Sequence, residues 1–377
     1  MTAPTPRTDI GSTAHHRQWL EIALTAPPGT ADLLLAGIVR PLLTEPPATD
    51  APPPAFFVRG TGPAQPTLSV QLALGPEDGE ASREYAARAR ELAGRLGAGA
   101  GTGSRGRVGD TEVQVVTGPA RLVPLTGSVF DGPALAPFTR TVLADLCPAL
   151  LAVGAAGEAG RPALLAAAAA LMAAHLRGVS ASGAPTARDY ELGRDGVPLG
   201  FLSYRSHAEA FLATSRNPQA ARSAMGEQYA RVAPTLLGLV DAVLAQCEGR
   251  GPVVSEPARQ WFEAVRPAKP TATDLFRSGS ELRLLGDEEE QDATALDESA
   301  FHRIVGASDG LRDFLNRDPA FLAARLLTSL LYLGLHSAGL TLTERYFLCY
   351  AVSRACEVLY ETDALTVLSG LAGVHRF

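Results

Sequence analysis

Two stretches in the first third of the chain, Phe56-Phe57-Val58-Arg59 and Thr67-Leu68-Ser69-Val70-Gln71-Leu72-Ala73-Leu74, determine its fold class. The second alternates apolar and polar residues, and residues 60–66 between them are rich in Gly and Pro. This pattern is typical of two strands joined by a turn. Further strands are predicted at residues 17–24, 113–116 and 121–123. The first third of the chain is therefore expected to form a β-sheet.

The rest of the chain is predicted to be mainly helical. Asn217-Pro218 marks a clear helix end and restart, because proline is favoured at the first helical position. Helices are predicted at residues 80–96, 133–153, 162–177, 206–215, 218–246, 256–265, 320–338 and 343–361. We therefore predict an α+β fold, with a β-rich N-terminal portion (1–125) whose sheet packs against a larger helical portion (126–377). We expect the two portions to form one integrated globular unit.

Composition limits the partners of this 377-residue chain. Its net charge is −7 and it has no basic run, which argues against nucleic-acid binding. Residues 1–12 are polar and proline-rich, without the basic and apolar pattern of a signal peptide. The longest apolar run, at 163–174, is too short to span a bilayer. We therefore expect a cytoplasmic protein without a nucleic-acid or membrane partner.

The sequence also gives no indication of a metal or a cofactor. Its four cysteines form no Cys-x-x-Cys pair and no His-Cys cluster with zinc spacing, so we expect reduced thiols. A loose Gly-x-Gly-x-x-Gly match within residues 97–109 follows a predicted helix rather than a strand, which favours a flexible connector. We expect neither a bound metal nor a cofactor.

The stretch at residues 199–212 concentrates reactive polar groups. It is interpreted as a strand, a turn and a helix start, because Ser206-His207-Ala208-Glu209 fits a capping box. Ser203, Tyr204 and His207 are then expected to project together at the mouth of a cleft. In the first helical turn His207 should be neutral, which suits it to accept a proton. The alternative is that Ser206 and Glu209 only cap the helix and that His207 only packs.

Several motifs together resemble a known family. They are Trp19, Phe56-Phe57-Val58-Arg59-Gly60, residues 66–72, Gly127-Ser128-Val129-Phe130-Asp131-Gly132-Pro133 and Ser203-Tyr204-Arg205-Ser206-His207. In this order, and followed by a helical tail, they resemble the thiopeptide-type bacteriocin biosynthesis proteins. These proteins are similar to a free-standing glutamate-elimination domain of lantibiotic dehydratases.

The chain departs from the elimination domains at two places. Those domains carry a His-Leu-Arg-Leu-Arg-like strand where this chain has Thr67-Leu68-Ser69-Val70-Gln71. They also carry a His-Met…Asn-Arg-Leu segment on a late helix, where this chain has residues 332–338. Expulsion of glutamate requires cations for its carboxylates. With these cationic residues absent from the matching positions, the chain resembles the pyridine synthases. They are the branch of the family that forms the six-membered nitrogen ring of thiopeptides.

The resemblance implies a substrate and a reaction. The substrate is a modified precursor peptide, with a leader and a dehydrated, azole-containing core. Two dehydroalanines join by a formal [4+2] aza-cycloaddition, and elimination of water and leader peptide gives a pyridine macrocycle. The resemblance leaves the oligomeric state open, a homodimer included. Two alternatives remain, namely a glutamate-elimination lyase that forms dehydroalanine and a non-catalytic subunit that binds the precursor.

We assign roles to eight residues on this basis. His207 is expected to transfer protons, with Tyr204 and Ser203 as hydrogen-bonding groups at the reacting amide. Tyr332 and His336, on the late helix, are further catalytic candidates, although ordinary packing would also explain them. The candidates for substrate binding are Phe57, Arg59 and Arg205.

Overall fold

The computed structural model describes residues 19–47, 52–60, 67–74, 78–98, 113–119, 135–180, 197–280, 296 and 299–374. A four-stranded antiparallel sheet near the N-terminus, followed by a long series of helices, confirms the predicted α+β fold class. The chain divides into two compact units. One consists of residues 1–123 and 133–144, the other of residues 124–132 and 145–377.

The sheet of the first unit contains the strands that the two opening stretches predicted. Its strands are β1 (Leu20–Thr25), β2 (Ala55–Arg59), β3 (Leu68–Leu72) and β4 (Gln114–Pro119). They pair antiparallel in the order β2-β3-β1-β4, and Val70 lies opposite both Ile22 and Phe57. These three side chains are almost completely buried, so their shared face of the sheet forms the core.

The alternation of apolar and polar residues in β3 does not correspond to one buried and one exposed face, because all five residues of the strand are buried. Ser69 and Gln71 point to the face opposite Val70, yet both are buried. Ser69 Oγ donates a 2.5 Å hydrogen bond to Glu21 Oε1 on the neighbouring strand β1. Burial of a polar side chain is tolerated when it is hydrogen-bonded in this way. The second face of the sheet therefore carries a carboxylate and its hydroxyl partner.

The helices are numbered in chain order. In the first unit, α1 (Ala31–Leu34) continues through a π-helical turn (Leu35–Val39) into α2 (Arg40–Thr44), and α3 is Gly79–Ala98. The helix α4 (Leu135–Ala156) contributes to both units. The second unit contains α5 (Arg161–Ser180), α6 (Phe201–Thr214), α7 (Pro218–Cys247), α8 (Glu256–Arg277), α9 (Ala300–Gly306), α10 (Asp309–Arg317), α11 (Pro319–Ser337), α12 (Leu342–Leu359) and α13 (Ala364–Val374).

Some helices differ from the predictions. The helices α1, α2, α9, α10 and α13 were not predicted. The helix predicted at 256–265 continues to Arg277 although it contains Pro267 and Pro270. Proline removes a hydrogen bond and clashes with the preceding turn. Trp261 and Phe276, buried on the same helix, show that packing outweighs this cost.

The helix α5 is the centre of the second unit. Most of its second half is buried, and it packs against α8, α7, α11 and α12. Five of its twelve buried residues are alanines, whose small side chains let neighbouring backbones approach closely. Four helices (Leu135–Ala159, Arg161–Ser180, Pro218–Cys247 and Pro319–Ser337) are long and apolar enough to cross a membrane by length and composition alone. The sequence prediction considered only the shorter run 163–174. In α5, 67% of the most apolar window is buried inside the protein, so packing accounts for its composition.

Gly178 lies at a close contact between α5 and α8. A Cβ atom at this position would lie 2.8 Å from Val265 Cγ1 and 3.0 Å from Val265 Cβ. Valine in a helix has one favoured rotamer and cannot turn away. We expect Gly178→Ala to lower the free energy of unfolding by about 1–3 kcal/mol in urea titrations. Gly238→Ala is the matched control, because nothing lies within 4 Å of its Cβ position. It should stabilise α7 by up to about 1 kcal/mol. Equal effects of the two variants would contradict the close α5–α8 contact.

Candidate active site

The residues at 199–212 fold differently from the sequence interpretation. Helix α6 already begins at Phe201, and its N-cap Gly200 makes no side-chain capping bond. The predicted strand and the predicted capping box of Ser206 and Glu209 are therefore wrong. The main-chain N–H of Phe201 donates to Pro198 O at 3.1 Å, so a tight turn starts the helix earlier. The helix α12 does have a capping box, made by Thr341 and Glu344.

His207 lies inside α6, one turn after Ser203. Its Nδ1 is 2.7 Å from the Ser203 main-chain oxygen and 3.2 Å from the Tyr332 hydroxyl. Because a carbonyl oxygen can only accept, Nδ1 carries the proton. Both hydrogen bonds that His207 makes with the described residues are at Nδ1. In the neutral ring, Nε2 is therefore the basic nitrogen.

Tyr332, from α11, links His207 to a cysteine of α12. The imidazole and phenol rings meet edge to face with centroids 5.2 Å apart. The Tyr332 hydroxyl also lies 3.3 Å from Cys349 Sγ. Burial raises the pKa of the Cys349 thiol to about 11, so it is protonated near neutral pH. The relay His207–Tyr332–Cys349 thus fixes the orientation of the imidazole.

His207 is neutral near pH 7. Burial lowers the pKa of His207 to about 4, against the opposing effect of its hydrogen bond to Ser203. The charges of Arg345, Arg325 and His302 lower this pKa further. The sequence analysis also predicted a neutral His207, but for a different reason, its place in the first helical turn. Burial is the cause, because His207 is not in the first turn of its helix.

Arg345 lies beside this relay. Its guanidinium carbon is 4.8 Å from the centre of the Tyr332 ring and 4.9 Å from that of Tyr346. The Tyr346 ring stacks in turn on Phe211 of α6, at 4.6 Å. A partly exposed cation thus contacts two aromatic rings, one of which also contacts the basic histidine.

Tyr204 and Ser203 lie on the same helix as His207. Tyr204 is buried, and its hydroxyl donates to Met172 O at 3.0 Å. Burial holds the pKa of Tyr204 well above its ordinary value. Ser203 contributes its main-chain carbonyl to Nδ1 of His207. A direct contact of either side chain with substrate stays a prediction.

The remaining site candidates lie in different places. His336 is partly exposed and lies one turn after Tyr332 on α11. Arg205 is 3.0 Å from the buried carboxylate of Glu209, so its charge is neutralised within the protein. In the other unit, Phe57 is 2% exposed and Arg59 pairs with Asp32. The substrate-binding roles of Phe57, Arg59 and Arg205 stay predictions.

Sequence reasoning missed Arg345 and Cys349 as site residues. The four-residue spacing of Arg345 and Cys349 puts both on one face of α12, but only the fold brings that face to Tyr332. Within the parts of the chain that the structure describes, no three His, Cys, Asp or Glu side chains converge as metal ligands do. His15, His16, His375 and the motif at 127–133 lie outside the described residues.

Comparison with known proteins gives structural neighbours only. No protein-family model matches the sequence, and no curated protein matches it significantly. The crystal structure of TsrL matches with a TM-score of 0.68 and 20% identity, over 93% of this chain and 98% of that chain. TbtD, a pyridine synthase from thiomuracin biosynthesis, matches with a TM-score of 0.59 and 21% identity, over 92% and 99%.

These comparisons establish the fold of the chain. It is an α+β protein built as TsrL and TbtD are, over nearly its whole length. At about one identical residue in five, the likeness shows shared architecture. It agrees with the family that the sequence motifs resemble.

Two histidines with lowered pKa values should make the protein sensitive to acid. Burial lowers the pKa of His175 to about 3 and that of His207 to about 4. Their contribution to stability is complete above the unfolded pKa of about 6.5 and is lost as the pH falls towards those values. For His175 alone the slope approaches about 1.4 kcal/mol per pH unit.

Urea titrations between pH 7.5 and 4 would measure this loss. We expect the midpoint to fall steadily below about pH 6.5. In His207→Gln the decline should be shallower, because that variant keeps only the His175 contribution. A midpoint that stayed constant from pH 7.5 to 4.5 would contradict burial of neutral histidines.

Proposed function

We propose that this protein is a thiopeptide pyridine synthase. It joins two dehydroalanines of a modified precursor peptide by formal [4+2] aza-cycloaddition. It then eliminates water and the leader peptide to leave a pyridine macrocycle. The observation that carries the proposal is the structural match to the pyridine synthase TbtD, over 92% of this chain and 99% of that one.

The relay around His207 suits this chemistry. One dehydroalanine and the amide before it must react as the imidic tautomer, which requires movement of the amide proton from nitrogen to oxygen. The Nε2 of a neutral His207 can take that proton, because Nδ1 is occupied by Ser203 and Tyr332. A positioned acid-base group typically contributes about 10²- to 10⁴-fold. The fold itself would supply the proximity of the two alkenes.

The sheet of the first unit weighs against glutamate elimination. The Ser69 hydroxyl donates to the carboxylate of Glu21, so a negative charge occupies the face of β3 on which an elimination domain carries cations. A glutamate leaving group would meet repulsion here rather than pairing. We therefore place the elimination lyase second.

The proposal includes the conditions of the reaction. Aromaticity results from eliminations within the substrate, so no oxidant is needed, and we propose that the enzyme works without metal or cofactor. Its partner is the precursor peptide, with leader and dehydrated azole-containing core. We propose a cytoplasmic location.

Two substrates offered to the purified protein test the proposal. With a fully dehydrated, azole-bearing precursor, in the presence of a chelator, we expect the pyridine macrocycle. With a glutamylated serine peptide, we expect no dehydroalanine. Dehydroalanine formation from the second peptide would instead favour the elimination lyase. Binding of the precursor without conversion would favour the non-catalytic subunit.

A further inference from the structure

Arg345 is a cation in contact with two aromatic rings. The centres of the Tyr332 and Tyr346 rings lie 4.8 and 4.9 Å from its guanidinium carbon. Tyr346 is itself held by stacking on Phe211 at 4.6 Å, with the planes inclined by 19°. Tyr332 is held by His207 and Cys349. The two ring contacts hold the guanidinium group in place, and its N–H edge is the part that forms hydrogen bonds.

This edge has no acceptor among the residues that the structure describes. Arg345 makes no ion pair there, and its Nε is buried without a hydrogen-bond partner. Other arginines in the same unit differ. Arg205 and Arg222 both contact Glu209, and Arg354 contacts Glu357. A cation fixed in orientation but not neutralised favours an anionic or strongly polar ligand.

The chemistry of that ligand follows from the geometry. A planar guanidinium edge binds oxygen atoms in its own plane, as in a carboxylate or an amide oxygen that gains negative charge. The ring of Tyr332 contacts both Arg345 and His207, and the charge of Arg345 lowers the pKa of His207, so cation and base are neighbours. A group that reaches His207 can therefore approach the cation as well.

We propose that Arg345 binds the oxygen of the peptide amide whose proton His207 Nε2 removes. As the proton leaves the nitrogen, negative charge grows on that oxygen, and the fixed guanidinium stabilises it without reorganising. This inference rests on the proposed function and adds a substrate-binding residue to it. A fixed donor at a developing oxyanion is worth about 10²- to 10³-fold in rate.

Kinetics of three arginine variants test the inference. With the dehydrated precursor, Arg345→Gln should lower kcat by about 10²- to 10³-fold with little change in KM. Arg345→Lys keeps the charge without the planar edge, and its kcat should fall about tenfold. Arg161→Gln is the matched control. It removes an arginine that pairs with Glu344, the residue next to Arg345, and should retain the wild-type kcat. A wild-type kcat in Arg345→Gln would overturn the inference. If that variant does not fold, a wild-type kcat in Arg345→Lys would do so.

A second readout does not depend on ring formation. Histidine-selective ¹⁵N NMR would follow the titration of His207, which experiences the charges of Arg345, Arg325 and His302. Arg345→Gln removes one of these and should raise the pKa of His207 by about half a unit to one unit. Arg345→Lys should leave it near the wild-type value.

The two readouts separate the inference from the proposed function. An unchanged His207 titration in Arg345→Gln would show that the cation and the base are not neighbours, and would overturn the inference. If the wild-type protein forms no pyridine, the proposed function fails, whatever the titration shows. Ring formation by the wild type with an unaffected Arg345→Gln variant would leave the function standing and remove only the role of Arg345.

Discussion

His207→Ala should slow pyridine formation by about 10²- to 10⁴-fold while the protein stays folded. The Nε2 of His207 is the basic nitrogen of a neutral imidazole, oriented through Nδ1 by Ser203 and Tyr332. Single-turnover rates on the dehydrated precursor would measure the loss, with circular dichroism to show an intact fold. Tyr332→Phe should cause a smaller loss, because the bond from Nδ1 to Ser203 remains.

Tyr204→Phe separates a chemical role from a structural one in the same helix. The Tyr204 hydroxyl donates to Met172 O, so its removal should cost about 1 kcal/mol of stability. If the hydroxyl also reaches the reacting amide, the rate falls as well. Wild-type rates in both His207→Ala and Tyr332→Phe would show that the base lies elsewhere in the protein.

Glu209→Gln should lower the free energy of unfolding by about 3–5 kcal/mol. The Glu209 carboxylate is 7% exposed and pairs with Arg205 from its own helix and with Arg222 from α7. Although burial opposes ionisation, the two arginines lower its pKa below the ordinary value. Removal of the carboxylate leaves Arg205, itself only 13% exposed, with the more distant carboxylate of Glu357, 3.6 Å from its Nη1. Urea titration at pH 7 would measure the loss.

Arg222→Gln is the matched control for this ion-pair cluster. The Arg222 side chain is 46% exposed, so its loss leaves Glu209 paired with Arg205 and should cost about 1 kcal/mol or less. Equal losses in Glu209→Gln and Arg222→Gln would contradict a buried pair of Arg205 and Glu209 as the centre of the cluster.

Local pattern was enough to predict the sheet and most long helices. The alternation of residues 67–74 and the turn residues before them identified β2 and β3, and Asn217-Pro218 identified the start of α7. Pattern failed where tertiary packing decides the outcome. The predicted helix ended at residue 265, before Pro267 and Pro270, but α8 continues beyond both prolines and buries Phe276. Residues 199–202 lack a side-chain cap, so the true start of α6 was missed.

The candidate site was only partly accessible from the sequence. His207 was found because it stands in a cluster of polar residues, although its local interpretation was wrong. Its contact with Tyr332 joins residues 125 positions apart, and only the resemblance to a family had drawn attention to that helix. Arg345 gave no indication in the sequence, because its contact with Tyr332 is made only in the folded protein.

The released leader peptide provides the most direct test of the proposed reaction. The purified protein would be incubated with the dehydrated, azole-bearing precursor, without added metal, nucleotide or flavin, and both products analysed by high-resolution mass spectrometry. Elimination across the new ring predicts a pyridine macrocycle together with a leader that ends in a carboxamide. A leader that ends in a free carboxylic acid would instead indicate hydrolysis and would contradict the account.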